Sequence, residues 1–184
     1  MSQKTIGIFV GSARRSSYNK AVAEYIAEQL AGTCSIQWMR MDDLPLFNQD
    51  FDDDFTVPVE WTRFREEVAG LDGYLFVTPE YNRSFPPLLK NALDIVSRPP
   101  GKGVWAGKPE AILSASPGRQ GGFGATHHLR QVLSFLDIRM MNQPEVYLGG
   151  VDRLLDEMGT LADAGTKAFL DGFVQSFIAW MGRN

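Results

Sequence analysis

Short apolar runs of strand length alternate with segments whose apolar residues recur at helical spacing, and this alternation restricts the chain more than any other feature. The runs cover residues 5–10, 35–39, 73–77 and 111–113, with a weaker one at 138–141. Unbroken apolar runs bounded by turn residues suit strands buried on both faces of a parallel sheet. Between them, Val22, Ile26 and Leu30 share one helical face, as do Leu88, Leu89, Ala92, Leu93 and Val96, and as do Leu129, Val132, Leu133 and Leu136. A last helix carries Phe169, Leu170, Phe173, Val174, Phe177, Ile178 and Met181 in a broad stripe that suits core or subunit contact. Strands that alternate with helices predict an α/β chain whose parallel sheet is covered on both faces. Residues 44–58, 98–109 and 145–153 read as loops.

With 184 residues, 44% of them hydrophobic, one substantial core is expected, so residues 1–184 read as a single domain. A net charge of −4 gives no concentrated basic surface to attract nucleic acid or anionic membrane. No apolar stretch reaches the roughly 20 residues that span a bilayer. The lone Cys34 has no intramolecular disulfide partner, and a strand-like run from Thr5 leaves no room for a signal peptide. A cytoplasmic protein acting on small molecules is the expectation.

In a doubly wound sheet, ligands sit beyond the carboxyl ends of the strands, so the residues just after each strand are the informative ones. After the first comes Gly11-Ser12-Ala13-Arg14-Arg15-Ser16-Ser17-Tyr18-Asn19, leading into a helix. A tight turn at glycine, hydroxyls, backbone N–H groups and a helix N-terminus suit a phosphate dianion, with Arg14 as the opposing charge. The same residues also suit a solvated loop in which Ser17 or Asn19 caps the helix. After the third strand comes Thr78-Pro79-Glu80-Tyr81-Asn82-Arg83-Ser84-Phe85-Pro86-Pro87, where paired prolines around an aromatic and an amide make a rigid loop. Such a loop can present a flat surface to a planar heterocycle, or simply connect strand to helix. After the fourth comes Ser114 to Gly124, with four glycines in seven residues that permit a ligand to approach the backbone or form a flexible turn. Three such loops on consecutive central strands point to one convergent site.

Other motifs carry less. Cys34 and Arg40 have the spacing of a phosphatase cysteine and its arginine, but the residues between them contain no glycine and alternate like a strand. Adjacent helical residues point about 100° apart, so His127 and His128 do not converge on a metal. The acidic run of residues 50–54 lacks the glycine and final glutamate of an EF-hand and reads as a solvated loop. No metal ligands are expected. Asn82-Arg83-Ser84 fits the glycosylation pattern, which has no meaning without secretion.

From Ile6 to about Val146 the sequence resembles the NADPH-dependent FMN reductase family, especially its bacterial quinone and chromate reductase branch. A GSxRxxSxN pattern is met at Gly11, Ser12, Arg14, Ser17 and Asn19, and PEYNxSxPxxLKNxxDxxSRP is met from Pro79 through Pro99. The resemblance implies a flavodoxin-like three-layer fold with a five-stranded parallel sheet of order 2-1-3-4-5. It also implies an FMN whose phosphate is held by the 11–19 loop, with Gly11, Ser12, Arg14, Ser17, Tyr18 and Asn19 as contacts. Pro79, Glu80, Tyr81 and Asn82 would lie along the flavin ring, with Ser116 and Gly118 on its far side. Lys90, Asn91, Asp94, Ser97 and Arg98 are read as loop-fixing and interface residues. The flavin carries the hydride chemistry, so no catalytic side chain is expected. NADPH or NADH would be the reductant, and a quinone, azo compound, metal oxyanion or free flavin the acceptor, in a ping-pong cycle. Family members are commonly homodimers or homotetramers, which sets residues 44–50 at a subunit boundary near the flavin. The alternative on the same fold is a single-electron carrier, whose phosphate loop is hydroxyl-rich and lacks an arginine such as Arg14.

Overall fold

A computed structural model describes residues 3–183. The chain runs β1 (Thr5–Val10), α1 (Tyr18–Leu30), β2 (Ser35–Trp38), α2 (Asp50–Asp53), α3 (Val59–Ala69), β3 (Gly73–Thr78), α4 (Pro87–Val96), β4 (Pro109–Ser116), α5 (Phe123–Phe135), β5 (Arg139–Met140), β6 (Tyr147–Gly149), a 3₁₀ turn (Val151–Arg153) and α6 (Ala164–Arg183). The expected path 2-1-3-4-5 is present, and every pairing in it is parallel. A sixth strand joins it: β5 pairs with the start of β4, and β6 with its carboxyl end at Ser114, Ala115 and Ser116. Residues 145–153 are therefore a strand and a 3₁₀ turn rather than a loop. The run is too short to stand out in sequence and owes its form to pairing with β4.

Alternation along each strand divides the core into two layers. Ile6, Ile8, Leu75, Val77, Ala111 and Leu113 meet α1 and α6 through Val22, Ile26, Leu170, Phe173 and Phe177. Phe9, Tyr74, Phe76 and Ile112 meet α3, α4 and α5 through Trp61, Phe64, Leu89, Leu93, Leu129 and Leu133. Phe9 stacks on Phe76 with centroids 4.9 Å apart, and Trp105 meets Tyr74 edge-on at 5.0 Å, geometries that suit the ring quadrupoles. No helix among the described residues is long and apolar enough to cross a membrane.

Residues 44–58 also depart from the loop expected of them. They contain the one-turn α2, and Arg65 of α3 donates to both carboxylate oxygens of Asp52 at 2.8 Å. Asp52 thus belongs to a bidentate pair rather than to a solvated acidic run. Cys34 is buried, its thiol pushed up by desolvation, and the residues after it form β2, so the phosphatase spacing is a coincidence of strand sequence.

One buried polar cluster stands apart from the rest of the core. Glu110 is fully buried in β4, and neither of its carboxylate oxygens has a hydrogen-bond partner. Burial pushes its carboxyl from 4.5 up to about 8, while the charge of Arg130 pulls it back. The folded protein keeps this proton across a range in which the unfolded chain releases it, so the stability Glu110 contributes is lost as pH rises through that range. Comparing Glu110→Gln with the parent by urea unfolding at about pH 5 and about pH 8 should show the parent losing stability relative to the variant as pH rises.

Candidate functional site

The carboxyl ends of β1, β3 and β4 open onto a cleft of about 320 Å³. It lies where the winding direction reverses between the two neighbours of β1, the position expected of a ligand site in such a sheet. Ser12, Arg14, Ser17, Tyr18 and Asn19 form one wall, Pro79, Glu80 and Tyr81 a second, and Ala115, Ser116 and Pro117 a third.

Local sequence accounts for each wall. Gly11 donates its N–H to Val77 O at 2.8 Å, which carries the β1–β3 ladder one residue past the strand. A Cβ at this position would lie 2.9 Å from Leu89 Cδ1 and 3.1 Å from Pro79 Cδ, so glycine lets the first two walls approach without displacing either side chain. Ser17 caps α1, its Oγ accepting from Lys20 N–H at 3.2 Å, and its carbonyl accepts from Ala21 N–H at 3.1 Å. The N–H groups of Tyr18 and Asn19 are left without intrahelical acceptors. The first turn of α1 holds no acidic residue. Arg14 lies exposed over the Tyr18 ring, 4.7 Å from its centroid. Capping by Ser17 thus leaves the Tyr18 and Asn19 N–H groups and Arg14 available, so the two readings of this loop are compatible.

The second wall is braced from behind. Tyr81 and Ser84 exchange backbone hydrogen bonds of 2.8 and 3.0 Å around Asn82 and Arg83, both with positive φ, which makes a tight hairpin of the I′ kind. Glu80 Oε2 accepts from Ala125 N–H at 3.1 Å, placing a carboxylate at the N-terminus of α5, where the helix dipole favours it. Its other oxygen pairs with Arg83, which also donates to Gln120 of the third loop. Farther along, Asn91 of α4 accepts from Phe47 N–H at 2.7 Å and donates to Leu44 O and Pro45 O at 3.3 and 3.1 Å. Asn91 fixes a loop, as read from sequence, and Lys90 and Asp94 pair with each other at 2.7 Å.

Three of the predicted site residues do not line the cleft: Gly11, which lies behind the first wall, Asn82 and Gly118. Asn82 sits exposed at the hairpin tip, and Gly118 is exposed, its N–H donating to Ser116 Oγ at 3.1 Å. The glycine-rich stretch also differs from its reading. A Cβ on Gly121 would meet the Tyr147 backbone at 2.5 Å, and one on Gly122 would meet Ser114 Cβ at 2.6 Å. These glycines let the third loop pack on β6 and β4, rather than admitting a ligand. Ala115 and Pro117 line the cleft and were missed, although their place at the end of β4 marked them. His127 and His128 diverge, one 3.4 Å from Tyr147 OH and the other 3.1 Å from Ser84 Oγ.

An orphaned polar atom tests what the cleft suits. Asn19 is buried and donates through Nδ2 to Ala115 O at 3.0 Å, which leaves its Oδ1 buried with no partner. An unpaired acceptor beside free helix N–H groups, serine hydroxyls and a guanidinium calls for a ligand that offers both a hydroxyl and an anion. A ribityl phosphate has both, and the proline-flanked second wall suits the flat ring it would carry.

The NADPH-dependent FMN reductase family model matches residues 4–152. The chain belongs to this family. Along its length it is 46% identical over 180 residues to a quinone reductase of Pseudomonas putida, covering 98% of this chain and 96% of the relative. It is 43% identical over 176 residues to a 2-hydroxy-1,4-benzoquinone reductase of a Burkholderia species, covering 96% and 95%. Among solved structures, the flavoenzyme NAD(P)H:(acceptor) oxidoreductase FerB of Paracoccus denitrificans superimposes with a TM-score of 0.90 at 34% identity over 98% of both chains. The chain is accordingly an FMN-dependent oxidoreductase with NAD(P)H as co-substrate.

Asn91→Ala removes one acceptor and two donor contacts that tie residues 44–47 to α4. It should lower stability by about 1–3 kcal/mol in urea unfolding, and an unchanged midpoint would show those bonds to be replaced by water.

Proposed function

We propose that the three-loop cleft holds FMN and that the enzyme passes electrons from NAD(P)H to a quinone or a similarly small acceptor in a ping-pong cycle. The observation that carries this is the convergence of a free helix N-terminus, Arg14 and the orphaned Asn19 Oδ1 on one cleft. Ser12, Arg14, Ser17 and the N–H groups of Tyr18 and Asn19 hold the phosphate, with Gly11 fixing the turn behind them. Asn19 Oδ1 would accept a hydrogen bond from a hydroxyl of the ribityl chain. Pro79, Glu80 and Tyr81 form the floor beneath the ring, and Ser116 and Pro117 its far edge. When bound, FMN supplies the hydride acceptance and donation.

The chain's own part is to position and to exclude. The backbone N–H of Glu80 would stabilise negative charge without any side chain changing its protonation, since Pro79 has no N–H and that of Tyr81 is bonded to Ser84 O. Glu80 keeps its carboxylate turned onto Ala125 and Arg83, so its charge is neutralised away from the cleft. A space of about 320 Å³ is at the lower end of what one drug-sized ligand occupies. With FMN filling that space, reductant and acceptor would meet the ring at one opening in turn, which is the basis for the ping-pong order. Quinone names among the relatives favour quinones over chromate-like oxyanions or free flavin as acceptors. The exposed Arg14 distinguishes this loop from that of a single-electron carrier.

A homo-oligomer is supported by a wider groove of about 650 Å³ over α4 and α5. Leu46, Phe47, Phe85 and Val132 give it an apolar floor, and Leu46 is 77% exposed. It adjoins the 44–50 stretch that the sequence set at a subunit boundary.

Purified protein should show absorption bands at about 375 and 450 nm that are released on denaturation as FMN. Arg14→Ala should weaken FMN binding about tenfold while thermal unfolding of the apoprotein stays put, because one charge-assisted phosphate contact is lost. Initial rates at several quinone concentrations should give parallel double-reciprocal lines against NADPH. Intersecting lines would refute the ping-pong order.

A further inference from the structure

A second cleft, of about 410 Å³, backs onto the first. Ser12 and Arg14 line both, so the turn after β1 is a partition with a cavity on each side. The far cavity lies between that turn and the end of β2. Its floor is apolar, made by Ile8, Val10, Met39, Met41 and Leu88, and Trp38 stands at its edge. Trp38 is 45% exposed.

Charge is concentrated here against the trend of the chain. In a protein of net charge −4, four cations, Arg14, Arg15, Lys20 and Arg40, line this cavity beside one carboxylate, Asp42. None of the four is locked in a tight pair. Lys20 meets Glu24 at 3.7 Å, with both side chains more than half exposed. Arg40 meets Asp42 and Asp43 at 3.4 Å, while Asp43 makes its shorter contact, 2.9 Å, with Arg63. Among the described residues Arg15 has no carboxylate partner. Exposed pairs of this kind contribute little, so a polyanion displaces them at small cost.

A flat half-exposed indole, an apolar floor and exposed cations suit a purine carrying phosphates. We propose that this cavity receives the adenosine half of NADPH, with Trp38 against the adenine and Arg15 and Arg40 against the 2′-phosphate. The proposal rests on the flavin cleft described above, since the shared wall is what lets one dinucleotide place its nicotinamide on one side and its adenosine on the other. It also assigns a basis for discrimination: NADPH and NADH differ only in the 2′-phosphate that Arg15 and Arg40 would meet.

The test uses the FMN-loaded enzyme and adenosine 2′,5′-bisphosphate, with calorimetry for binding and steady-state rates for both reductants. The bisphosphate should bind and compete with NADPH. Arg15→Gln and Arg40→Gln should each weaken that binding and raise KM for NADPH about tenfold, with KM for NADH changed less than about twofold and kcat unmoved. Trp38→Ala should raise KM for both reductants, because both carry adenine. Absence of bisphosphate binding, unchanged KM for NADPH in the arginine variants, or a parallel rise for NADPH and NADH in those variants would each overturn the proposal. Both arginines are exposed, and retention of the flavin absorbance verifies the fold of each variant. Loss of flavin or of all NAD(P)H oxidation in the parent enzyme would instead count against the three-loop cleft itself, so the two failures are distinguishable.

Discussion

The site depends on one close approach, that of the turn after β1 to the wall after β3. Gly11 donates to Val77 O at 2.8 Å and presents no side chain where Leu89 and Pro79 press in. That contact lets α1 start beside the β3 loop, so the dipole of one element and the rigid backbone of the other act on a single volume. A parallel sheet supplies the rest: all its strands end on the same side, and the reversal of winding beside β1 leaves a gap there. The chemistry of the cleft is then assembled from loops, while the strands beneath need only be apolar.

Much of this was legible because strand and helix periods differ and because site loops follow strands. The buried runs of β1 and β3 and the stripes of α1, α4, α5 and α6 are in the structure as read from the sequence, and Ser12, Arg14, Ser17, Tyr18, Asn19, Pro79, Glu80, Tyr81 and Ser116, singled out because they follow strands, line one cleft. What escaped shares a physical cause. β6 holds its conformation through Ser114–Ser116 of β4, a partner some thirty residues away, and has almost no local signal. α3 carries Trp61, Phe64 and Val68 at helical spacing, but follows an acidic stretch and Pro58, and its apolar face is narrow. Its fit to the core comes from Phe9 on β1, far away in sequence, and from Phe47 in the preceding loop, contacts that helical periodicity does not reveal.

Glycine was the other source of error. A cluster of glycines is compatible with ligand approach and with tight packing of one backbone on another, and composition cannot separate these. At Gly121 and Gly122 the neighbour is Tyr147 or Ser114, so the third loop is held by the protein's own edge strand. Ser114 Oγ donates to Gly121 O at 2.7 Å and closes that arrangement. The outcome is a wall whose position is set by packing, and that preorganisation reduces what a bound cofactor must order for itself.

The hairpin at Tyr81–Ser84 has two ends that face different spaces. Tyr81 borders the three-loop cleft, and Ser84, bonded to it across the turn, borders the apolar groove over α4 and α5. Arg83 and Glu80 fasten the same turn to Gln120 and to the start of α5. A load in the groove therefore bears on a short stiff lever whose other arm borders the three-loop cleft, and the two spaces are mechanically joined through four residues.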